Sequence, residues 1–573
     1  MTRTGRVVRV RGGRRVVVVG AGPAGLTAAM ELAERGFEVT VIEARAVGGK
    51  ARSIPVPGTG RDGRRDLPGE HGFRFFPGFY RNVTETMARI PAPGGGSVAE
   101  RLVPTTEVLF ARDGGRDGLV VDIAGGPGVR NVEGTLRALG RVLARTPGLS
   151  PEASAHFANR LLVCATSGPE RWAGEFEDTS WWEFAAGAGA SEDYRRMCVI
   201  GPTRTLVAAK AEVASVASIG RTQVEFWHGL LGGGGHAEAD RVLDAPTTEA
   251  WIGPWAAHLV GLGVRFLVGH RVTRLSTAGG AVRAAVVRTP SGAVREVEAD
   301  WFVCAVPAEA AVRTLGPEVC ELDEGLTGID RLETDWMTGV QFFLRERLDL
   351  AHGHVIHVDS PWALTSVAQA GFWSGPAFAD RYGDGTVHDC LSVDVSAWDV
   401  PGPLTGKPAR ECTREEAVRE VWHQLADSLR RDGRPLLSRD LVHSCFTDPA
   451  IRWPTEPGGL AHNTEPLLIS TAGSRRWRPK PAGKVPNLFQ AGDHVDVDLN
   501  LATMEAADQS GKAAVNALLA TAGSRAPECV VRGWERPEET AALRRLDDER
   551  YAAGLPNLFD RPAPWHRPDL SPR

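Results

Sequence analysis

Arg15-Val16-Val17-Val18-Val19-Gly20-Ala21-Gly22-Pro23-Ala24-Gly25, continued by Leu26 to Gly36 and then Val39-Thr40-Val41-Ile42-Glu43, is the stretch whose reading decides the fold. Four consecutive valines make a strand buried on both faces, as in a parallel sheet. The Gly20-x-Gly22-x-x-Gly25 spacing then turns that strand sharply into a helix. Gly20 permits the tight turn, Gly22 lets a pyrophosphate reach the backbone, and Gly25 lets helix and strand approach closely. The helix N-terminus faces the phosphates with its unpaired amides. Leu26, Ala29, Met30 and Ala33 repeat at helical spacing, Gly36 ends the helix, and Val39 to Ile42 forms a second strand with Glu43 at its tip. An acid in that place grips ribose hydroxyls, so the unit predicts a Rossmann-like, dinucleotide-binding α/β domain.

At 573 residues the chain exceeds what one core supports, and two or three domains, interleaved in sequence, are expected. A net charge of −5 gives no electrostatic footprint for nucleic acid, and the basic cluster from Arg3 to Arg15 is short, so the expected partner is a small molecule. Eight cysteines stand singly, without a C-x-x-C pair or Cys/His ligand spacing, which fits a reducing cytoplasm and no metal centre. The N-terminus runs directly into the first strand without the apolar region of a signal peptide, and no run of 18 apolar residues occurs. The expected location is cytoplasmic, with peripheral membrane contact left open.

After Glu43, the run Ala44 to Ser53 makes a second glycine turn carrying positive charge, with Ala44, Gly49, Lys50 and Ala51 as candidate cofactor contacts. A nicotinamide enzyme needs no such turn. A flavin dinucleotide, lying extended, uses Gly49 for close backbone approach and Lys50 or Arg52 beside the phosphates or ring, which points to FAD rather than NAD.

Gly69-Glu70-His71-Gly72-Phe73-Arg74-Phe75-Phe76-Pro77-Gly78-Phe79-Tyr80-Arg81-Asn82 mixes aromatic residues, glycines and ionisable groups. It resembles the E-x-G-x-H-x-F-F-G-x-Y segment of the plant and cyanobacterial type of carotenoid (phytoene) desaturase, within the flavin-containing amine oxidase superfamily. Glu70, Gly72, Phe76, Gly78 and Tyr80 match; Arg74 stands where that family has His, and Pro77 replaces a Phe. The resemblance implies that Gly72, Phe73 and Arg74 border the isoalloxazine. Arg74 and Tyr80 are the candidate catalytic residues, Arg74 either steadying negative charge on the ring or forming a structural ion pair with Glu70 or another acid.

Leu102 to Ile123 reads as short strands broken by Gly114-Gly115 and Gly118, followed by helical patterns from Val132 to Leu143 and Pro151 to Cys164. A further helix-like region spans Trp181 to Val216. Trp172, Trp181, Trp182 and Trp227 either line an apolar tunnel or fill the core of this lid. Thr247 or Thr248 is the expected N-cap of a helix running to Leu262. Val264 to Leu275 reads as a strand and its sequel, Ala281 to Val287 and Val294 to Val297 as hairpin strands, and Asp300 to Pro307 as a buried strand, and the resemblance sets the Val272 backbone against adenine. Leu332 to Leu344 and Asp389 to Trp398 are strands of a second sheet. Between them His352, His354 and His357 read as a solvated loop or strand edge rather than a metal site, and a helix from Arg414 to Arg430 is capped by Thr413.

Pro486 to Asp493 is a short strand ending in Ala491-Gly492, which lets Asp493 reach a ribityl hydroxyl. The helix after Thr503 and Met504 aims its amides at the flavin. This pair of features resembles the C-terminal flavin motif of the superfamily.

The expected organisation is an FAD-binding domain from residues 14–75, 245–310 and 480–522, an interleaved mixed α+β substrate domain from 76–244 and 311–479, and a surface extension over 523–573. The expected activity is FAD-dependent hydride removal from an apolar polyene or isoprenoid, in a pocket with few ionisable groups, with a quinone or O2 as final electron acceptor. The alternatives are a flavin-dependent amine oxidase, a redox-neutral isomerase or cyclase, and a non-catalytic flavin-binding scaffold.

Overall fold

The computed structural model describes residues 14–115, 118–123, 132–230, 240–431, 433–456, 458–534, 536 and 538–566; most of the Arg3 to Arg15 cluster lies outside them. The chain begins with β1 (Arg15–Val19), α1 (Pro23–Glu34), β2 (Glu38–Glu43), α2 (Asn82–Ala88), β3 (Glu107–Ala111) and β4 (Leu119–Asp122). Helices α3 (Val132–Ala144), α4 (Pro151–Thr166) and α5 (Val216–Leu230) follow. Next come β5 (Arg265–Val268), β6 (Arg271–Ala278), β7 (Ala281–Arg288), β8 (Val294–Glu298) and β9 (Trp301–Cys304). The chain goes on through β10 (Thr338–Leu344), β11 (Gly353–His357), β12 (Thr365–Ala368), β13 (Asp389–Val395), α6 (Arg414–Ser428) and β14 (Val442–Thr447). It closes with β15 (Leu488–Gln490), α7 (Met504–Ala522) and α8 (Ala541–Ala552).

β1 is central to a parallel sheet of order β15-β9-β1-β2-β5, and its valines explain why. Val16 and Val18 enter the core shared with α1 and α7, whereas Val17 and Val19 enter the core under the antiparallel sheet β6-β7-β8. Both faces of the strand are therefore dry, as a run of β-branched residues requires.

The second sheet has seven strands in the order β14-β10-β13-β12-β11-β3-β4, antiparallel except where β11 meets β3. α6 packs against it, capped by Thr413, whose hydroxyl accepts from the Glu416 amide at 3.2 Å while Glu416 accepts from the Thr413 amide at 2.9 Å.

Several sequence expectations change. His354 and His357 belong to β11, which is flanked on both sides by strands, not to a solvated loop or sheet edge, whereas His352 is exposed in the bend just before it, as expected. His357 is buried between the hydroxyls of Ser428 (2.6 Å) and Ser366 (2.9 Å). The helix-like Trp181 to Val216 region consists of short helical turns around a π-helix, Arg195–Thr205. Thr247 stands at the N-cap position of the π-helix Thr248–Ile252, as expected, but makes no side-chain capping bond, because its hydroxyl donates to Glu70, while the Thr248 hydroxyl accepts from the Ser53 amide. Trp172 and Trp181 lie in the helical core and Trp182 packs on it; of the four tryptophans only Trp227 also lines the cavity described below. Beyond Gly523, Cys529 enters the dinucleotide-domain core, α8 places Asp547 against Arg171, and Trp565 packs edge-on against Tyr194.

Candidate active site

One cavity of about 580 Å3 runs from the end of β2 to the seven-stranded sheet. Its first half is lined by Gly20, Gly22, Glu43, Ala44, Gly49, Lys50, Ala51, Val272, Gly492, Asp493, Thr503 and Met504. Gly25 is the one expected contact outside this wall. A Cβ there would lie 2.0 Å from the Gly20 carbonyl oxygen, so Gly25 serves helix-to-strand packing.

Three observations fit this half to an extended dinucleotide. No side chain caps the N-terminus of α1 at Gly22, and a Cβ at Gly22 would meet only the Gly49 Cα, at 3.9 Å, so space lies open before the amides. Glu43 is held at the end of β2 by the amides of Ala21 (2.9 Å) and Arg45 (2.7 Å). Gly492, at φ +138°, brings the β15 turn up to α7, whose N-terminus is capped by Thr503. These residues would hold the adenosine, pyrophosphate and ribityl parts of FAD in turn.

Glu70 ties the junction between the two halves. Burial raises its pKa, and it accepts from Ser53 Oγ (2.8 Å), the Thr247 amide (2.7 Å) and the Thr247 hydroxyl (2.6 Å). Arg74, half-buried, donates to the carbonyls of Lys50 and Phe73; its Nε is buried and has no partner among the described residues. The alternative of a direct ion pair between Arg74 and Glu70 is not realised; Glu70 acts on Arg74 only through space. Burial lowers the Arg74 pKa, opposed through space by Glu70, Asp394 and Asp448. Tyr80 lines the cavity but is 4% exposed, edge-on to Phe76 and Phe79, with its hydroxyl on Thr503 and its pKa raised by burial. That setting makes it part of the cavity wall and a brace between the Phe76–Phe79 run and Thr503.

Beyond Arg74 the floor of the cavity is one face of the second sheet. Strand register aligns Val121, Val108 and His354 in one row, and Phe110, Ile356, Thr365 and Asp394 in the next. The floor is thus apolar toward β4 and polar toward β13. His354 Nδ1 meets Asp240 at 2.8 Å, whereas His354 Nε2, Thr365 Oγ1 and Asp394 Oδ1 are buried without a partner among the described residues. Burial pushes the Asp394 carboxyl up to about 7 against the pull of Arg74. His71, which also lines the cavity, pairs with the buried Asp448 behind it. The expectation of few ionisable groups is therefore wrong at this end. Sequence reading missed Asp240 and Asp394; the signal was a carboxylate in the apolar strand Leu391-Ser392-Val393-Asp394-Val395.

A profile of the flavin containing amine oxidoreductases matches residues 23–519. Carotenoid phi-ring synthase of Chlorobaculum tepidum is 37% identical over 99 residues, which is 17% of this chain and 14% of that protein. Hydroxyneurosporene desaturase of Rhodobacter capsulatus is 59% identical over 44 residues, 8% of this chain and 9% of that protein. The chain therefore matches a small part of these relatives' length. Among solved structures, a putrescine oxidase aligns with a TM-score of 0.56 at 15% identity, covering 88% of this chain and 99% of that one. Cyclohexylamine oxidase from Brevibacterium oxydans aligns at 0.54 and 15%, covering 89% and 99%. At such identities the likeness is one of fold. With the profile spanning most of its length and a cavity wall that suits FAD, the chain belongs to the flavin containing amine oxidoreductase family and is an FAD-dependent oxidoreductase.

Proposed function

We propose that this oxidoreductase removes hydride from an extended apolar polyene or isoprenoid, introducing a double bond. The observation that carries the reading is the far half of the cavity, where Phe110, Val121, Ile123, Phe157, Met197 and Phe226 face inward. Burial of hydrocarbon against such a wall contributes roughly 25 cal/mol per Å2, enough to hold a long chain without any polar anchor. The local similarity to a phi-ring synthase and a hydroxyneurosporene desaturase supports the same substrate class.

FAD, when bound, supplies the two-electron acceptor for the hydride. The chain's own contribution is placement and exclusion of water. Phe73 and Phe75 flank the floor at His354, each with ring centroids 5.3 Å away, and narrow the passage between the two halves. Arg74 fixes a positive charge at that passage, where Gly72 to Arg74 form the wall proposed to border the isoalloxazine. A quinone or O2 is the proposed final acceptor.

Amine oxidation is the second reading, favoured by the buried carboxylates Asp240 and Asp394, which suit a cationic substrate. Against it, Lys50, which lines the cavity, is paired with Glu309 at 2.8 Å. Anaerobic spectra decide between the two. Phytoene in detergent micelles should bleach the flavin, while primary, secondary and aromatic amines leave it oxidised. Rapid bleaching by a simple amine, with hydrogen peroxide released on admitting air, would overturn the ranking.

A further inference from the structure

Desaturation must dispose of a proton as well as a hydride, and the polar end of the cavity floor holds a group built to take it. Asp394 is 5% exposed, lies on the cavity wall, and has Oδ1 free of any partner among the described residues. Its position is fixed by two glycines. A Cβ at Gly72 would stand 2.9 Å from Asp394 Oδ1. A Cβ at Gly339, the β10 residue paired with Asp394, would stand 3.1 Å from the Gly72 Cα. These bare backbones bring the second sheet against the segment that carries Arg74, so Asp394 sits where the dinucleotide half of the cavity meets the apolar half.

We infer that Asp394 is the proton acceptor of the reaction and that His354, anchored by Asp240, is a positioning residue that keeps it ready. The inference rests on the desaturase reading. One C–H bond breaks with its electron pair, the hydride passing to the bound flavin as oxidant. The neighbouring C–H gives its proton to the Asp394 carboxylate, and the electron pair of that bond becomes the new carbon–carbon π bond. Two electrons and two hydrogens leave the substrate, and one of those hydrogens stays on Asp394 until it exchanges with solvent.

The surroundings suit a base that works near neutrality. Arg74 and His354 favour the ionised carboxylate, Asp448 and Glu70 oppose it, and burial opposes it most, which leaves the group at about 7. Thr365, paired with Asp394 across the strands, adds a hydroxyl without a partner among the described residues. A base whose pKa lies close to ambient pH is both present in its accepting form and strong enough to act.

The test uses FAD-loaded protein with phytoene in detergent micelles as probe. Wild-type flavin bleaching should accelerate with pH through a midpoint near 7 and level off above it. Asp394→Asn should fold, retain FAD and melt no lower than wild type, yet bleach on the order of 100-fold more slowly without that pH step. His354→Gln should move the midpoint upward while largely preserving the plateau rate. Infrared difference spectra supply a readout that needs no substrate: a protonated-carboxyl band should vanish as pH rises through 7 in wild type and be missing from the Asn variant. Bleaching of Asp394→Asn within threefold of wild type at every pH would overturn the inference. Should Asn prevent folding, a flat wild-type pH profile or the absence of the carboxyl titration overturns it equally. If amines but not phytoene bleach the wild type, the desaturase reading falls and takes the substrate step with it. The infrared titration then reports separately whether Asp394 can accept a proton.

Discussion

Gly72 and Asp394 stand so close that a Cβ on the glycine would come within 2.9 Å of the Asp394 carboxylate oxygen. Gly72 is not at a positive φ, so alanine strains no backbone there, and its whole effect is displacement. Gly72→Ala should fold and keep FAD while pushing the carboxylate aside. A shift of roughly an ångström at a reacting group lowers the rate by about 10- to 100-fold. Anaerobic bleaching kinetics beside a melting curve check this; an unchanged rate would detach Asp394 from the reaction.

The motif glycines should separate into two kinds. At Gly22 the chain itself leaves room for a methyl group, so Gly22→Ala should fold normally and lose FAD, the methyl standing where the pyrophosphate approaches. At Gly25 the methyl would lie 2.0 Å from a carbonyl oxygen, so Gly25→Ala should lose soluble, folded protein along with its cofactor. Flavin-to-protein ratio and circular dichroism distinguish the two, and equal behaviour would refute the division.

Glu43 is held by two backbone amides and leaves its remaining lone pairs for ligand hydroxyls. Glu43→Ala removes charge-assisted hydrogen bonds worth about 1.5–3 kcal/mol, so FAD retention on dilution should fall by one to two orders of magnitude. Unchanged retention would remove Glu43 from the cofactor site.

Much of the dinucleotide half was legible because its chemistry is local: the valine run, the glycine turn and the acid at Glu43 lie within one strand-helix-strand unit. The same locality made Gly492 and Thr503 readable. The substrate half was not, because its site is assembled by register. Phe110, Ile356, Thr365 and Asp394 come from four strands scattered over nearly 300 residues and meet only through cross-strand pairing. His354 looked solvated because three spaced histidines in a polar run resemble a loop; only the neighbours on both sides of β11 make that segment interior. The tail after Gly523 carries no helical apolar stripe because polar contacts help hold it, and these leave no periodic trace.

Those tail contacts centre on Arg171 and Asp547, which are 1% and 2% exposed at the side chain and joined through Nε at 3.0 Å and Nη2 at 3.1 Å. Removing one member of a buried pair costs about 3–5 kcal/mol when the other charge is left alone. Arg171 keeps Glu175 and the Leu555 carbonyl, so the cost here falls at or below the lower end of that range. Asp547→Ala should therefore loosen α8 from the α4 region, seen as faster proteolysis near residue 540 and a lower melting temperature. A double change, Arg171→Met with Asp547→Leu, should recover most of the loss. No change in either readout for Asp547→Ala would show that the tail is held by its aromatic contacts alone.

The raised Asp394 carboxyl makes a stability prediction whose sign can be worked out without any substrate. Its proton is bound more tightly in the folded chain, at about 7, than in an unfolded chain, where the ordinary value is about 3.9. The stability due to that proton is fully present below the unfolded value and is lost as pH rises toward 7; above 7 the loss is complete. Asparagine has the same shape and no charge to bury, so Asp394→Asn has no such loss. Relative to wild type, the variant should melt at a similar temperature near pH 4.5 and at a higher one near pH 8.5. The difference should be on the order of 2–4 kcal/mol at 1.36 kcal/mol per pKa unit, reduced by whatever Arg74 loses in the exchange. Thermal unfolding of both holoproteins across this range is the measurement, and two curves that run parallel at every pH would mean that the Asp394 carboxyl is not raised.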